Sequence, residues 1–434
     1  MTASLAPPAA APQPRRPASR WRPLACLARL VRRSARRSLR RSLHYLPDLA
    51  AFCGALLFAA LAALLTGALS GCGGGVGSEG TGSYASGTIT GYGSIIVNGV
   101  HFDESAAVVQ DDDGQAVAPG ALALGMVVQI SAGPISTAAD GRSLAVASSV
   151  RTQRALVGPV DVLDLAGGRL TVLGQTVAVS TDTVFDERLN GGLAALAPGQ
   201  WLEVYGFYNP GTGSFAASRV AASSASAGLR VSGTVAAVDA TAQTVKLGNQ
   251  TYSTAALGSG PALASVVTLK LQADTDAKGR WVVSGQQAEP PAPQEREGAK
   301  LDGLVTQVLS TSRFVADGVT VDSSAAKLSG SVQVGAKVEV SGTLRAGVLW
   351  AAEVEASLGK LRTFELNGTL SQLDTVQRRF VLRGTTVSYA RSGVVFDKGT
   401  AAGLLGYSGK LKVEGVLSAD RTWVEATRIR FDRD

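Results

Sequence analysis

Cys72 is the residue of this sequence that is best placed for covalent chemistry. Cys72 follows the uncharged apolar run Leu49–Leu69, with only Ser70 and Gly71 between them. Small side chains at these two positions let a peptidase reach extended backbone, and a cysteine thiolate can accept a diacylglyceryl group. The order of residues therefore predicts lipoprotein processing, with signal cleavage after Gly71 and lipidation of Cys72.

Residues 1–71 have the features of an export signal. Eleven arginines and no acidic residue precede Asp48, which is the charge pattern of an n-region. The alternative is an uncleaved membrane anchor, since the 21 residues of Leu49–Leu69 are also long enough to cross a bilayer. Because Gly73 rather than an aspartate follows Cys72, we expect an outer membrane lipoprotein of a Gram-negative bacterium, facing the periplasm or the exterior.

The net charge of +7 belongs to this leader. Beyond residue 71, 30 basic residues stand against 33 acidic ones, so the rest of the chain is slightly negative. Binding to a phosphate backbone requires a positive surface, and we therefore expect no nucleic-acid partner. Of the three cysteines only Cys72 remains after cleavage, which excludes an intramolecular disulfide.

A phrase of the form Gly-x-Val/Ile/Leu recurs beyond the leader. At intervals of 65 to 75 residues, it begins at Gly87, Gly158, Gly233, Gly303 and Gly368. Within most units a second strand turns over a glycine, a later strand follows a glycine, and the last strand opens on a bulky residue. Alternation at period two, as in Lys337–Val340 (KVEV), indicates short strands with one buried face.

The repeats predict an all-β fold of tandem small five-stranded barrels. An OB-like barrel is favoured and an SH3-like barrel is the alternative, since closure removes free sheet edges in either case. The chain is accordingly divided into a signal peptide (1–71), a Gly/Ser tether (72–85), three barrels (86–152, 153–225 and 226–288), a Pro-rich linker (289–300) and two further barrels (301–357 and 358–434).

The joins between repeats predict how the barrels are grouped. A lone barrel of this size buries little surface, so neighbours with short joins are expected to pack together. The linker contains EPPAPQEREG (Glu289–Gly298), whose prolines and charges predict a stiff spacer. We therefore expect an elongated string of barrels in two groups, repeats one to three and repeats four and five.

The opening of the first repeat carries a family resemblance. SGTITGYGSIIVNGVHFDES (Ser86–Ser105) resembles a bacterial lipoprotein family with tandem repeats of domain of unknown function 5666. The match is specific over Gly87–Asp103, and the later repeats keep its spacing but lose the GxGSIxVNG motif. The resemblance implies an exported, lipid-anchored β protein. It implies no activity, because the family has no assigned chemistry to carry over.

The most aromatic segment beyond the leader is VYGFYNPGTGSF (Val204–Phe215). Its Tyr205, Phe207 and Tyr208 run into a turn between the last two strands of the second repeat. Because barrels of this type bind ligands on their loops and aromatic rings stack on sugars or bases, these three residues are the candidate ligand-binding site. The alternative is that Tyr205 and Phe207 point into the barrel core while Tyr208 covers the turn.

Catalytic and metal-binding chemistry has little support. Only one histidine, His101, lies beyond the leader, and no partner motif accompanies it. Gln110–Gln115 (QDDDGQ) gathers three carboxylates but lacks the spacing of a calcium loop, and Asp113-Gly114 predicts a solvated hairpin turn. We therefore predict no catalytic residue, no metal and no cofactor.

Three functions remain open. The first is a non-enzymatic binding module that is held on the membrane through the lipid on Cys72 and recognises an envelope protein or a glycan. The second is a structural spacer in the cell envelope. The third is a hydrolase of envelope polymers that acts through carboxylates.

Lipidation can be tested directly by radiolabelled palmitate incorporation together with intact-mass analysis. The wild-type product is expected to be labelled and shortened by its first 71 residues, and Cys72→Ala is expected to be unlabelled and uncleaved because it lacks the acceptor thiol. An unlabelled, full-length wild-type product would show that Leu49–Leu69 is a retained anchor.

Overall fold

The chain forms five closed β-barrels of one topology in a computed structural model. The structure describes residues 82–357 and 362–432. Three predicted features lie outside the described residues: the signal peptide with its cleavage site at Gly71, the lipid acceptor Cys72, and the tether as far as residue 81. Within the described ranges there is no α-helix, and none of the short helical turns is long and apolar enough to cross a membrane.

The strands of the first three barrels follow one another along the chain. Barrel 1 consists of β1 (Ser83–Tyr92), β2 (Ile95–Val97), β3 (Val100–Asp103), β4 (Val108–Gln110), β5 (Val127–Ala132), β6 (Ser136–Thr137) and β7 (Ser143–Gln153). Barrel 2 consists of β8 (Leu156–Asp164), β9 (Arg169–Val172), β10 (Gln175–Phe185), β11 (Trp201–Asn209) and β12 (Ser214–Ala222). Barrel 3 consists of β13 (Leu229–Asp239), β14 (Thr244–Leu247), β15 (Gln250–Ser253), β16 (Val266–Thr275) and β17 (Trp281–Ala288).

The last two barrels repeat this order. Barrel 4 consists of β18 (Arg296–Val308), β19 (Arg313–Ala316), β20 (Val319–Asp322), β21 (Lys327–Ser329), β22 (Lys337–Arg345) and β23 (Val348–Ser357). Barrel 5 consists of β24 (Phe364–Asp374), β25 (Arg379–Leu382), β26 (Thr385–Ser388), β27 (Val395–Asp397), β28 (Lys410–Leu417) and β29 (Val424–Asp432). Short 3₁₀ turns lie at Pro119–Ala121, Glu187–Leu189, Gly192–Ala195, Ala225–Ala227 and Ala402–Leu404.

Every barrel closes through the same circuit of five principal strands. In barrel 2, β8 pairs with β9, β9 with β10, β12 with β11 and β11 with β8, all antiparallel, while β10 and β12 pair in parallel. The other four barrels also join their third principal strand to the last in parallel. This parallel closure is that of the OB fold and differs from an all-antiparallel SH3-like barrel, so the OB-like prediction is confirmed.

In four of the five repeats the glycine that marks the repeat lies against the hairpin turn of its own barrel, whereas Gly233 in barrel 3 has open space beside it. A Cβ placed on Gly87 would lie 2.6 Å from Asn98 Oδ1, and one on Gly158 would lie 2.8 Å from Leu173 Cγ. Both Asn98 and Leu173 begin a tight turn, with φ of 52° and 53°, and a glycine follows each. A side chain on the first strand would therefore exclude the turn, which explains why the phrase opens with glycine.

The grouping of the barrels differs from the prediction. β1 pairs in parallel with β18 of barrel 4 over Ser83–Ser86 and with β24 of barrel 5 at Gly91 and Tyr92. β8 pairs with β13, which joins barrels 2 and 3. The groups are therefore barrels 1, 4 and 5 and barrels 2 and 3, and the expected string of consecutive barrels is wrong.

The hydrophobic cores follow the same groups. One core combines barrels 1 and 5, a second combines barrels 2 and 3, and the third fills barrel 4. Tyr84 of β1 belongs to the barrel 4 core and is 5 % exposed, although the sequence places it in the tether. Sharing cores offsets the small burial that a single barrel of this size achieves.

The linker between barrels 3 and 4 is anchored at both ends. Glu289 Oε1 accepts a hydrogen bond from Thr268 of barrel 3 at 3.0 Å, and Glu295 Oε1 accepts one from the backbone of Ala346 in barrel 4 at 2.9 Å. β18 already begins at Arg296, within the segment assigned to the linker. The segment between the strands is thus packed against both barrels, which corrects the prediction of a stiff spacer.

The approach of β1 to β24 predicts a sensitive glycine. A Cβ on Gly91 would collide with the backbone carbonyl oxygen of Glu365, so Gly91→Ala is expected to lower the free energy of unfolding by about 1–3 kcal/mol. Gly233→Ala is the matched control, because no atom lies within 4 Å of its added methyl group. Urea unfolding followed by far-UV circular dichroism measures both, and equal midpoints for the two variants would contradict the close pairing of barrels 1 and 5.

Candidate functional site: a cleft between four barrels

The three residues of the predicted aromatic site do not lie together in the structure. Tyr205 is 3 % exposed, and its hydroxyl donates to Glu203 Oε1 at 3.4 Å. Burial raises the pKa of Tyr205, so its phenol stays neutral. Phe207 and Tyr208, in contrast, lie on the wall of a cleft. The structure therefore brings two of the three predicted residues together and places the third in the packing between barrels.

The cleft has a volume of about 510 Å³ and is bounded by barrels 1 to 4. Barrel 2 contributes Phe207, Tyr208 and Phe215, and the rings of Tyr208 and Phe215 meet edge to face with centroids 5.2 Å apart. Leu263 of barrel 3 and Val315 of barrel 4 extend the apolar surface. A cavity of this volume, lined mainly by apolar groups with a few polar ones, is typical of small-molecule sites.

Asp317 is one of two acidic residues on this wall. It begins the β19–β20 hairpin turn at a φ of 46°, which aspartate tolerates better than most residues. Its Oδ2 accepts a hydrogen bond from the Ser86 hydroxyl at 3.3 Å, and it makes no ion pair with any residue that the structure describes. Burial, assisted by the nearby carboxylates of Asp302 and Glu289, raises the pKa of Asp317 to about 6.

Glu289 is the second acidic residue. Its side chain is 8 % exposed, and Oε1 is occupied by the hydrogen bond from Thr268. Oε2 is buried and accepts no hydrogen bond from the described part of the chain. The nearest cation is Arg151, whose Nη2 lies 3.8 Å from Oε2. Glu289 is therefore a buried carboxylate that Arg151 compensates only in part, and it adds negative potential to this wall of the cleft.

The aspartates of QDDDGQ lie on a hairpin turn, as predicted, since Gln110 and Ala116 form an antiparallel bridge. The turn is not solvated, however, because its aspartates form a largely buried ion cluster. Asp112 is 1 % exposed and is bound by Arg154 of barrel 2 and by Arg230 of barrel 3, whose Nη1 lies 2.9 Å from Oδ1. Lys270 and Arg230 bind Asp113 at 2.8 and 2.5 Å. Burial raises the pKa of Asp113, but the hydrogen bonds from Lys270 and Arg230 outweigh it and hold the pKa at about 2.

This cluster is a packing device between barrels 1, 2 and 3. The three carboxylates come within 4.8 Å of one another, which is close enough for a shared metal ion. Two arginines and a lysine already neutralise them, however, and Arg154 also contacts Asp111 at 3.2 Å. We therefore assign no metal to it.

Sequence reasoning missed both cleft carboxylates. Asp317 sits in an Asp-Gly pair, which is read as turn chemistry, and Glu289 opens the Pro-rich segment assigned to a linker. Neither residue has a motif around it. The only signal was indirect: the aromatic strand β11 indicated the right region of the molecule.

The fold and cleft define a class of protein, a tandem array of OB-like barrels with an interdomain cleft. The family model for the domain of unknown function (DUF5666) matches residues 157–221 and 302–355. The chain therefore carries tandem DUF5666 repeats in barrels 2 and 4, whereas the resemblance seen in the sequence was strongest in the first repeat. No protein with a curated description matches the chain.

The ion cluster predicts that replacing one of its aspartates by an uncharged residue strongly lowers the stability of the protein. Asp112→Asn removes the charge that compensates two buried arginines, so we expect the free energy of unfolding to fall by about 3–5 kcal/mol. Asp140→Asn is the control, since the Asp140 pair with Arg142 is exposed to solvent and contributes little to stability. Denaturant unfolding of both variants measures these changes. Comparable losses of unfolding free energy in the two variants would show that the cluster does not contribute strongly to the packing of the barrels.

Proposed function

We propose that the protein is a non-enzymatic binding protein whose ligand site is the cleft between barrels 1 to 4. The observation that carries this proposal is the combination, in one cavity of about 510 Å³, of an aromatic wall with two incompletely satisfied carboxylates. Apolar lining supplies affinity and a few polar groups supply orientation in sites of this kind.

The packing of the barrels favours binding over the spacer function. A spacer gains length from repeats that act independently, but here barrels 1 and 5 share a core and barrels 2 and 3 share another. Removing one repeat would expose the core of its partner. The arrangement supports a single body with one shared site.

The location in the cell remains part of the proposal. The sequence Leu69-Ser70-Gly71-Cys72 supports a lipid on Cys72 and an outer membrane position, and these residues lie outside the described part of the chain. A protein held there would meet envelope proteins and glycans. We propose one of these as the source of the ligand.

A carboxylate hydrolase is the second candidate. Its support is that the pKa of Asp317 is raised to about 6, as suits a general acid, while a second carboxylate, Glu289, lies near enough to contribute to that rise. Hydrolysis of a recovered glycan by the wild-type protein, lost in Asp317→Asn, would establish this activity over simple binding.

Pull-downs from envelope extracts and a glycan array test the binding proposal. The bait begins at residue 73, because residues 77–434 form one compact unit by their own contacts. We expect the wild type and Trp350→Ala, an aromatic residue outside the cleft that is 45 % exposed, to recover the same partner. The double variant Phe207→Ala and Tyr208→Ala should lose it, since it removes much of the aromatic wall.

Two results would count against cleft binding. One is that no partner is recovered reproducibly by the wild type. The other is that the double variant recovers the partner as well as Trp350→Ala does.

A further inference from the structure

The charges on the cleft wall indicate what kind of ligand it takes. We infer that the cleft recognises a primary ammonium group carried on an apolar stem, with Asp317 binding the ammonium, Glu289 adding to the negative potential and the aromatic wall binding the stem. This inference rests on the proposed function, because it names the ligand class of the same site.

Glu289 provides the first step. Its Oε2 is buried without a hydrogen-bond donor in the described residues, and Arg151 at 3.8 Å is beyond hydrogen-bond distance. The oxygen has essentially no accessible surface, so a ligand in the cleft does not contact it directly. Glu289 instead adds negative potential to the wall, and this potential favours the full positive charge of an ammonium group.

Asp317 provides the second step. Within the described ranges, the only hydrogen bond to its side chain comes from the Ser86 hydroxyl, which is neutral. The acidic groups Asp302 and Glu289 act on it from neighbouring segments, so the local potential is negative. Asp302 is compensated by Arg362 at 3.0 Å and Lys337 at 3.6 Å, which leaves Asp317 as the carboxylate without a cation.

The cationic side chain of the wall does not favour an anionic ligand. Arg154 lines the cleft, but its guanidinium is bound by Asp112 and contacts Asp111 at 3.2 Å and Glu203 at 3.9 Å. With Asp113 at 3.7 Å as well, these carboxylates leave Arg154 no capacity to bind an anionic ligand. Among the described residues, the uncompensated charge on the wall is that of Asp317, and it attracts cations.

The remaining wall suits the apolar part of the ligand. Phe207 and Tyr208 present rings, and Leu263 and Val315 present aliphatic groups. An alkyl stem gains from burial against these surfaces, and an ammonium close to a ring gains a cation–π attraction as well.

Hexylammonium and its neutral counterpart 1-hexanol are the probes that test the inference. Calorimetric titration of the chain from residue 73 should show hexylammonium binding at least about tenfold more tightly than 1-hexanol, since only the ammonium forms a charge-assisted hydrogen bond with a carboxylate. This comparison uses only the wild-type protein and does not depend on how any variant folds.

Variants then assign the effect to the two carboxylates. Asp317→Asn should weaken hexylammonium binding by about tenfold. Glu289→Gln should weaken it by less, because Glu289 acts through the potential alone, and both variants should leave 1-hexanol binding within about twofold. Glu355→Gln is the control, because Glu355 is an exposed carboxylate on β23 outside the cleft, and its binding should equal that of the wild type.

Acidification supplies a further readout. The pKa of Asp317 lies at about 6 under the influence of burial and of Ser86, Asp302 and Glu289, while Tyr84 beside it stays neutral because burial raises its pKa. Lowering the pH through this value protonates Asp317, so hexylammonium binding should weaken from about pH 7.5 to about pH 5. Asp317→Asn should lose most of this dependence.

The outcomes separate the inference from the proposed function. Equal binding of hexylammonium and 1-hexanol would overturn ammonium recognition and leave the cleft as an apolar binding site. Binding of neither probe would overturn the inference and also weigh against the cleft as a ligand site. Binding of hexylammonium that the two cleft variants leave unchanged would place the ammonium elsewhere and overturn the assignment.

Discussion

The pairing of β1 with the first strands of barrels 4 and 5 is the constraint on which the rest of the molecule depends. One end of β1 runs parallel to β18 and the other end meets β24, so a single strand closes its own barrel and orients two others. The contact requires Gly91, where a side chain would meet the backbone of β24. With barrel 4 fixed in this way, its Asp317 turn faces the cleft that barrels 2 and 3 border from the other side.

Local patterns allowed the individual barrels to be predicted, but not their arrangement. Period-two alternation and the Asn-Gly and Asp-Gly turns determine strands and hairpins over a few residues, and these features were right. The parallel contacts of β1 join residues more than 200 positions apart, and no local pattern encodes them. The prediction therefore grouped barrels by the lengths of their joins, whereas shared cores decide the grouping.

The candidate site could likewise be predicted only in part from the sequence. Phe207 and Tyr208 could be predicted because they lie in the most aromatic segment beyond the leader, next to an Asn-Pro-Gly turn. Asp112 was predicted to be exposed because a run of aspartates beside a glycine usually lies in solvent. Its burial is possible because Arg154 and Arg230, which are distant in the sequence, compensate its charge. Charge compensation between barrels cannot be predicted from the sequence until the arrangement of the barrels is known.

The ion cluster and the cleft are two sides of one junction. Arg154 belongs to both, since it binds Asp112 on one side and lines the cavity on the other. Barrels 2 and 4, the two that match the family model, each contribute one wall, but neither encloses the cavity alone. The cleft is therefore a feature of the assembled barrels, and a single repeat does not form it alone.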